Sequence, residues 1–253
     1  MLTPEISYSF YPVYSQNYNV KMELVPLKED FSFDPDEFCK RKNSGIAIAN
    51  PNAPTSIAIS LEEVEKIVKS NPDSVVIIDE AYIAFSGKKV ESAVSLINKY
   101  PNLVVVQTTS KEYSLAGLRV GWAIADEELI EGLLRNRDSF NSYPVDRLAQ
   151  VIAAAAVNDG SYYDKRRLQV IEVRDNFIRD IKELGFEVCD SSANFVFTKP
   201  SKISAKELYE YLKSKKIYVR YWDKPKISEY LRITVGTKEE MSKLLSTIKE
   251  VIN

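Results

Sequence analysis

The 253-residue chain contains no histidine. That absence removes Ser-His-Asp and Cys-His mechanisms, imidazole zinc sites and the usual acid–base group of neutral pH. Any proton transfer therefore falls to lysine, tyrosine or a carboxylate, or to a cofactor that does most of the chemistry. Cysteine is nearly as scarce. Cys39 and Cys189 lie far apart and match no metal spacing or redox motif, so two buried structural thiols in a reducing compartment are expected, and a cytoplasmic location with them. No apolar stretch is long enough to span a bilayer, and the opening residues lack the basic and apolar regions of a signal peptide. Neither sign of charge is in excess: the formal net charge is −2, which gives no electrostatic case for a nucleic-acid partner.

What is present suits a globular enzyme. A hydrophobic fraction of 45% supports a sizeable core, and the length fits one large domain or a domain and a half. Short apolar runs at Lys21–Pro26, Gly45–Ala49, Ser74–Asp79, Leu103–Thr108 and Gly121–Ala125 read as strands separated by amphipathic stretches. Ser60-Leu-Glu-Glu63 is a capping-box pattern opening a helix to about Lys69. Strands apolar on both faces, alternating with helices, predict an α/β fold with a mostly parallel sheet covered by helices. From about Val145 to Leu184 the pattern is helical, interrupted near Asn158-Asp-Gly160. Beyond it, Phe186–Cys189, Asn194–Thr198, Ile217–Arg220 and Tyr230–Val235 read as strands, flanked by helices over Ser204–Lys215 and Thr237–Val251. This order predicts a small C-terminal α+β domain. The expected division is 1–144, a connecting helical segment 145–184, and 185–253.

Four features are spaced along the α/β half: Asn50-Pro-Asn-Ala-Pro-Thr-Ser56, Asp79-Glu-Ala-Tyr82, Thr108-Thr-Ser-Lys111, and Arg119 eight residues after Lys111. All but Arg119 fall at the carboxyl ends of predicted parallel strands, where open α/β sheets place ligands. Taken singly, the acid is an ordinary helix cap, the lysine an ordinary solvated one and the Asn-Pro stretch a turn. The combination is far more specific than its parts.

These segments, together with Tyr230-Leu-Arg-Ile-Thr-Val-Gly-Thr237, resemble the fold-type I pyridoxal-phosphate (PLP) aminotransferases, most closely the histidinol-phosphate aminotransferase branch. The resemblance covers almost the whole chain in the right order. It implies a large PLP-binding domain, a homodimer, and small-molecule amine and 2-oxo acid substrates. It also implies residue roles. Lys111 carries the cofactor in imine linkage and moves the proton between substrate Cα and cofactor C4′. Asp79 pairs with the pyridine nitrogen, and Tyr82 hydrogen-bonds the phenolic oxygen. Arg119 holds the phosphate, with Thr108 and Ser110 as helpers, and Tyr8 stacks on the ring. Arg232 grips the substrate α-carboxylate, while Arg220 and Asn194 line the substrate pocket. No metal is implied. The physics of these groups agrees: a lysine beside cations is disfavoured as ammonium, and arginine's planar fork fits phosphate and carboxylate bidentately.

The sequence departs from the family pattern in two ways. Family members commonly carry a second asparagine where Ala53 stands, which leaves Asn52 as the neighbouring amide to take its place at the phenolic oxygen. Chains of the family also begin roughly a hundred residues earlier, a difference that changes the domain count. The expectation is therefore an N-terminally truncated member, inactive or weakened without the glycine-containing phosphate loop. Two other readings stay open: a threonine-phosphate decarboxylase-like PLP enzyme of cobalamin synthesis, and a non-catalytic remnant or folding partner of a separately encoded segment.

Overall fold

Apolar runs bounded by turn residues form the central sheet because they are covered on both faces. The computed structural model describes residues 1–252. Its larger sheet contains β1 (Leu2–Pro4), β2 (Glu23–Val25), β3 (Gly45–Ala49), β4 (Val75–Asp79), β5 (Leu103–Thr108) and β6 (Gly121–Ala125), in the order β2-β1-β3-β4-β5-β6. Every neighbouring pair is parallel except β5 with β6. The α/β architecture is the one expected. β3, β5 and β6 take the expected bounds, whereas the run at Lys21–Pro26 contributes only the three residues of β2. β1 falls outside the expected strands.

Order in this sheet positions the site. The chain leaves β1 outward to β2, then returns to the other side of β1 as β3. A reversal of this kind opens a crevice at the carboxyl ends of the strands on either side of it. The segments following β1, β3, β4 and β5 all start from that end.

Helices α1 (Tyr11–Asn17), α2 (Pro35–Lys40) and α3 (Leu61–Ser70) connect the strands. Ser60 and Glu63 close the reciprocal capping box at the start of α3, at 3.2 Å and 2.7 Å. One face of α3, Val64, Ile67 and Val68, packs on Ile46, Ile48, Val76, Ile78, Leu103 and Val105 of the sheet. Each such side chain contributes about 1.5–3 kcal/mol when fully buried. Helices α4 (Glu127–Phe140) and α5 (Arg147–Asn158) lie toward solvent and leave Phe140, Leu148, Val151 and Ile152 exposed.

After α6 (Gly160–Glu183) come β7 (Glu187–Val188), β8 (Phe195–Lys199), α7 (Ala205–Ser214), β9 (Arg220–Tyr221), β10 (Leu231–Thr234) and α8 (Lys238–Ile252). The four strands form a second, antiparallel sheet in the order β7-β8-β10-β9. Its core joins Phe177 and Ile181 of α6 to Val196, Leu208, Leu212, Ile233, Leu244 and Ile248. The break expected near Asn158-Asp-Gly160 is where α5 ends and α6 begins.

Arg174 of α6 is 1% exposed. Its Nη1 donates to the carbonyls of Phe85 (2.8 Å) and Ala193 (3.0 Å), and its Nε to Asp175 (2.9 Å). One side chain thus links the segment after β4 to the approach to β8. Ser86 Oγ adds a bond to the Ser192 carbonyl at 3.2 Å.

The cysteines correct one expectation, since both are partly rather than fully buried. Burial still pushes the Cys189 thiol up to about 12, away from thiolate chemistry. Among the described residues no helix is long and apolar enough to cross a membrane.

Candidate active site

The crevice gathers one loop from each strand end. Asp79 is the last residue of β4, and the neighbouring acid, Glu80, has its carboxylate turned to Ser92, the Ala93 N–H and Gln107 at 2.6–2.8 Å. Asp79 Oδ1 accepts from the Ala81 N–H at 3.1 Å, and Oδ2 accepts from the Tyr11 hydroxyl at 2.9 Å. Burial pushes the Asp79 carboxyl above the usual range; the two hydrogen bonds and the Lys111 charge oppose that push without cancelling it.

Lys111 follows β5 and is half-buried, with Nζ 5.5 Å from the centre of the Tyr82 ring. Burial lowers its pKa first, the Arg232 and Arg119 charges lower it further, and Asp79 pulls it back. Tyr82 packs edge-on against Phe195 at 5.1 Å, and burial raises its phenol while Arg232 lowers it. These couplings place Asp79, Tyr82, Lys111 and Arg232 in one electrostatic cluster.

Arg232 comes from β10. Its guanidinium lies over the rings of Phe195 (5.0 Å) and Trp222 (5.5 Å), and its buried Nε has no hydrogen-bond partner. Burial holds its pKa below the ordinary arginine value, and the Arg220 charge acts the same way. Arg220, on the neighbouring strand directly opposite Arg232, stacks on the other ring contact, Trp222, at 5.2 Å. Both arginines line a cavity of about 510 Å³ with Tyr8, Tyr11, Ala53 and Trp222. The one carboxylate in that lining, Glu5, is committed to Lys226 (2.6 Å) and the Leu27 N–H (3.0 Å). Among the described residues neither Asp79 nor Arg232 has a salt-bridge partner.

The remaining expected residues take different positions. Tyr8 is 46% exposed at the cavity wall, stacked with Phe10 and edge-on to Tyr11. Thr108 Oγ1 lies 2.8 Å from Ser110 Oγ and accepts from the Ser110 N–H at 3.1 Å, so the two hydroxyls form one cluster at the end of β5. Arg119 adopts a left-handed backbone (φ 56°) and its Nη1 donates to the Ala116 carbonyl at 2.8 Å. Non-glycine residues in that region are held there by their surroundings, which recurs at ligand sites. Asn194, partly buried, immediately precedes β8, beside Phe195. Lys111, Asp79, Tyr82, Thr108, Ser110, Arg119 and Asn194 lie outside the lining of the arginine cavity, so the crevice has two parts.

Asn52 requires a correction. It is fully buried; its Nδ2 donates to the Ile6 carbonyl and Thr55 Oγ1, both at 2.9 Å, and its Oδ1 accepts from Ser7 at 2.8 Å. No amide hydrogen is left for a cofactor oxygen, because the loop after β1 has taken it. Tyr11, by contrast, lines the cavity and bonds Asp79, yet has no place among the residues expected from the sequence. Its only sequence signal is its spacing of three from Tyr8, which a turn bonding the Tyr11 N–H to the Tyr8 carbonyl brings beside it.

A partly buried carboxylate and a partly buried guanidinium, neither with a salt-bridge partner among the described residues, together with a lysine whose pKa burial lowers, fit a molecule with a cationic ring, anionic substituents and a carbonyl. This is the chemistry of a pyridoxal-type cofactor and an anionic amine.

Comparison with known proteins agrees. The family model "Aminotransferase class I and II" matches residues 1–248, and the chain belongs to that family of transaminases. It is similar to a histidinol-phosphate aminotransferase of Acinetobacter baumannii (strain AYE), 51% identical over 252 residues, covering 100% of this chain and 69% of that protein. A solved histidinol-phosphate aminotransferase of Clostridium acetobutylicum superposes with a TM-score of 0.93 at 24% identity, over 100% of this chain and 77% of that one. A histidinol-phosphate aminotransferase of Sinorhizobium meliloti, crystallised in complex with pyridoxal-5'-phosphate, superposes at 0.89 with 22% identity, over 100% and 70%. At those identities the two structures speak for the fold, which is the one expected.

Proposed function

We propose that the chain is a PLP-dependent aminotransferase of histidine biosynthesis, passing the amino group between histidinol phosphate and 2-oxoglutarate. The observation that carries this reading is the pair Arg232 and Arg220, two cations in one cavity that have no salt-bridge partner among the described residues, the Arg232 charge acting also on Lys111. Two guanidinium groups suit the phosphate of histidinol phosphate and the paired carboxylates of 2-oxoglutarate alike. Relatives named for histidinol phosphate, at about half identity over the whole chain, support the same substrate.

PLP supplies an electrophilic carbonyl and a ring that accepts electrons from the bonds at the substrate Cα. The chain's residues do the rest. Lys111, whose pKa is lowered by burial and then by two arginines, would attach the cofactor and hold or return the proton at Cα. Asp79 holds the proton at the ring nitrogen. The Tyr82 hydroxyl serves the phenolic oxygen, and Tyr8 covers the ring face. Arg119, Thr108 and Ser110 serve the phosphate, while Arg232, Arg220 and Asn194 orient the substrate. The reading includes a homodimer in the cytoplasm and the division at 144/145 and 184/185.

The test is spectroscopic and chemical. The chain mixed with PLP should show a visible imine band and a borohydride-stable adduct at Lys111, both lost in Lys111→Ala, and should transaminate histidinol phosphate with 2-oxoglutarate. An adduct retained in Lys111→Ala removes the lysine assignment. Cofactor binding without use of any phosphorylated amine leaves the cofactor reading standing and removes the substrate.

A further inference from the structure

Asp79 receives two hydrogen bonds of different origin. The Ala81 N–H is fixed by the chain turning after β4 and is available to any residue at position 79. The Tyr11 hydroxyl comes from 68 residues away, at the first residue of α1. Its ring is held by other aromatics: Tyr8 meets it edge-on at 5.5 Å, and Phe10 packs against both Tyr8 and Tyr14. A phenylalanine would make the same ring contacts. The hydroxyl is what distinguishes tyrosine there, and its one side-chain hydrogen bond goes to Asp79 Oδ2.

We propose that Tyr11 is a positioning residue for Asp79, its O–H fixing the carboxylate's rotamer and keeping it ionised in a desolvated crevice where it faces the ring nitrogen of the cofactor. This rests on the role given to Asp79 above. The direction of donation is set by the surroundings: burial and the adjacent carboxylate drive the Tyr11 phenol far above its ordinary value, so it remains a donor at every working pH. The other groups facing Asp79 cannot substitute. Lys111, from the loop after β5, acts through its charge; Tyr82, from the segment after β4, packs edge-on against Phe195; Glu80 is committed to its own bonds; and Tyr8 makes no hydrogen bond to Asp79 among the described residues. A carboxylate with one fixed oxygen can rotate about its final bond. With both oxygens held it cannot, and a partner proton then meets a preformed acceptor.

The experiment uses the full chain in two states. Without cofactor, the Asp79 carboxyl carbon is followed by NMR against pH in protein labelled with 13C-aspartate, with the signal assigned by its absence in Asp79→Asn. Tyr11→Phe should raise the Asp79 midpoint by about one pH unit or more, the shift expected when an ionised group loses a hydrogen bond. With PLP added, the pH midpoint of the visible band should move in Tyr11→Phe, and turnover should fall about tenfold or more with KM little changed. In the Asp79→Asn background, Tyr11→Phe should change neither. An Asp79 midpoint unaltered by Tyr11→Phe overturns the proposal. So does a shifted midpoint with an unmoved visible band, which reduces the contact to a structural one. Absence of any band in the wild-type chain refutes the cofactor reading instead, and the Asp79 titration then decides the Tyr11 assignment alone.

Discussion

Replacing Arg232 by methionine should make the unliganded chain no less stable while removing its response to anions. The buried Nε of Arg232 lacks a partner, and an unsatisfied buried donor costs about 1–3 kcal/mol. Against that stand two ring contacts, with Phe195 and Trp222, contributing about 0.5–1 kcal/mol each at a partly exposed site. Methionine keeps most of the packing volume and brings no charge. The two effects nearly offset, leaving Arg232→Met between unchanged and about 1 kcal/mol more stable in urea denaturation without ligand. With ligand the ranking reverses. A chain that binds 2-oxoglutarate gains about 2.7 kcal/mol at a hundredfold excess over Kd, and Arg232→Met should gain almost none of it. The substitution also removes a positive charge that holds the Lys111 pKa down, so that pKa rises. Borohydride trapping of PLP on Lys111, measured across pH, should therefore need a higher pH in the variant. Equal stabilisation of both proteins by 2-oxoglutarate would refute the assignment of Arg232 to the anion. An unliganded variant several kcal/mol weaker would show that the guanidinium is structurally paired after all.

Two further substitutions test the frame around the site. Ser56 is buried with a left-handed backbone (φ 66°), so Ser56→Gly should be tolerated while Ser56→Val loses about 2 kcal/mol more, measured by urea denaturation; equal costs would show that φ is not what limits this position. Arg174→Met takes the guanidinium donor from the Phe85 carbonyl, leaves the Ala193 carbonyl only the 3.4 Å contact from the Ser191 hydroxyl, and should cost about 3 kcal/mol or more, with a loss under about 1 kcal/mol counting against the clamp.

The strands β3 and β5 were legible to the residue because each is a short apolar run covered on both faces and ended by a turn. β1 was not. Its three residues include Pro4, and only pairing with β2 and β3 makes them a strand. Failure to place β1 also explains the two errors at the site. The loop after it supplies Ser7 and Ile6, which occupy the Asn52 amide, and leads into Tyr11, which reaches Asp79. Neither contact has a local signature, since the partners are separated by 45 to 68 residues. The residues that the structure gathers into one cluster, Lys111, Asp79, Tyr82 and Arg232, share a different property. Their chemistry is written in short motifs, and the strand ends bring those motifs together whatever the rest of the chain does. Arg174 was invisible for the opposite reason. It lies in a helix full of charges, and nothing nearby marks it as the one that goes inward.

That buried guanidinium works as a ruler. Phe85 lies three residues beyond Tyr82, and Ala193 lies one before Asn194, so a single planar group of fixed size gauges the gap between the two walls of the crevice. Hydrogen bonds tolerate only a few tenths of an ångström before they weaken. The gauge belongs to neither wall. Side chains on the wall that carries Asn194 can therefore be exchanged without recalibrating the wall that carries Tyr82.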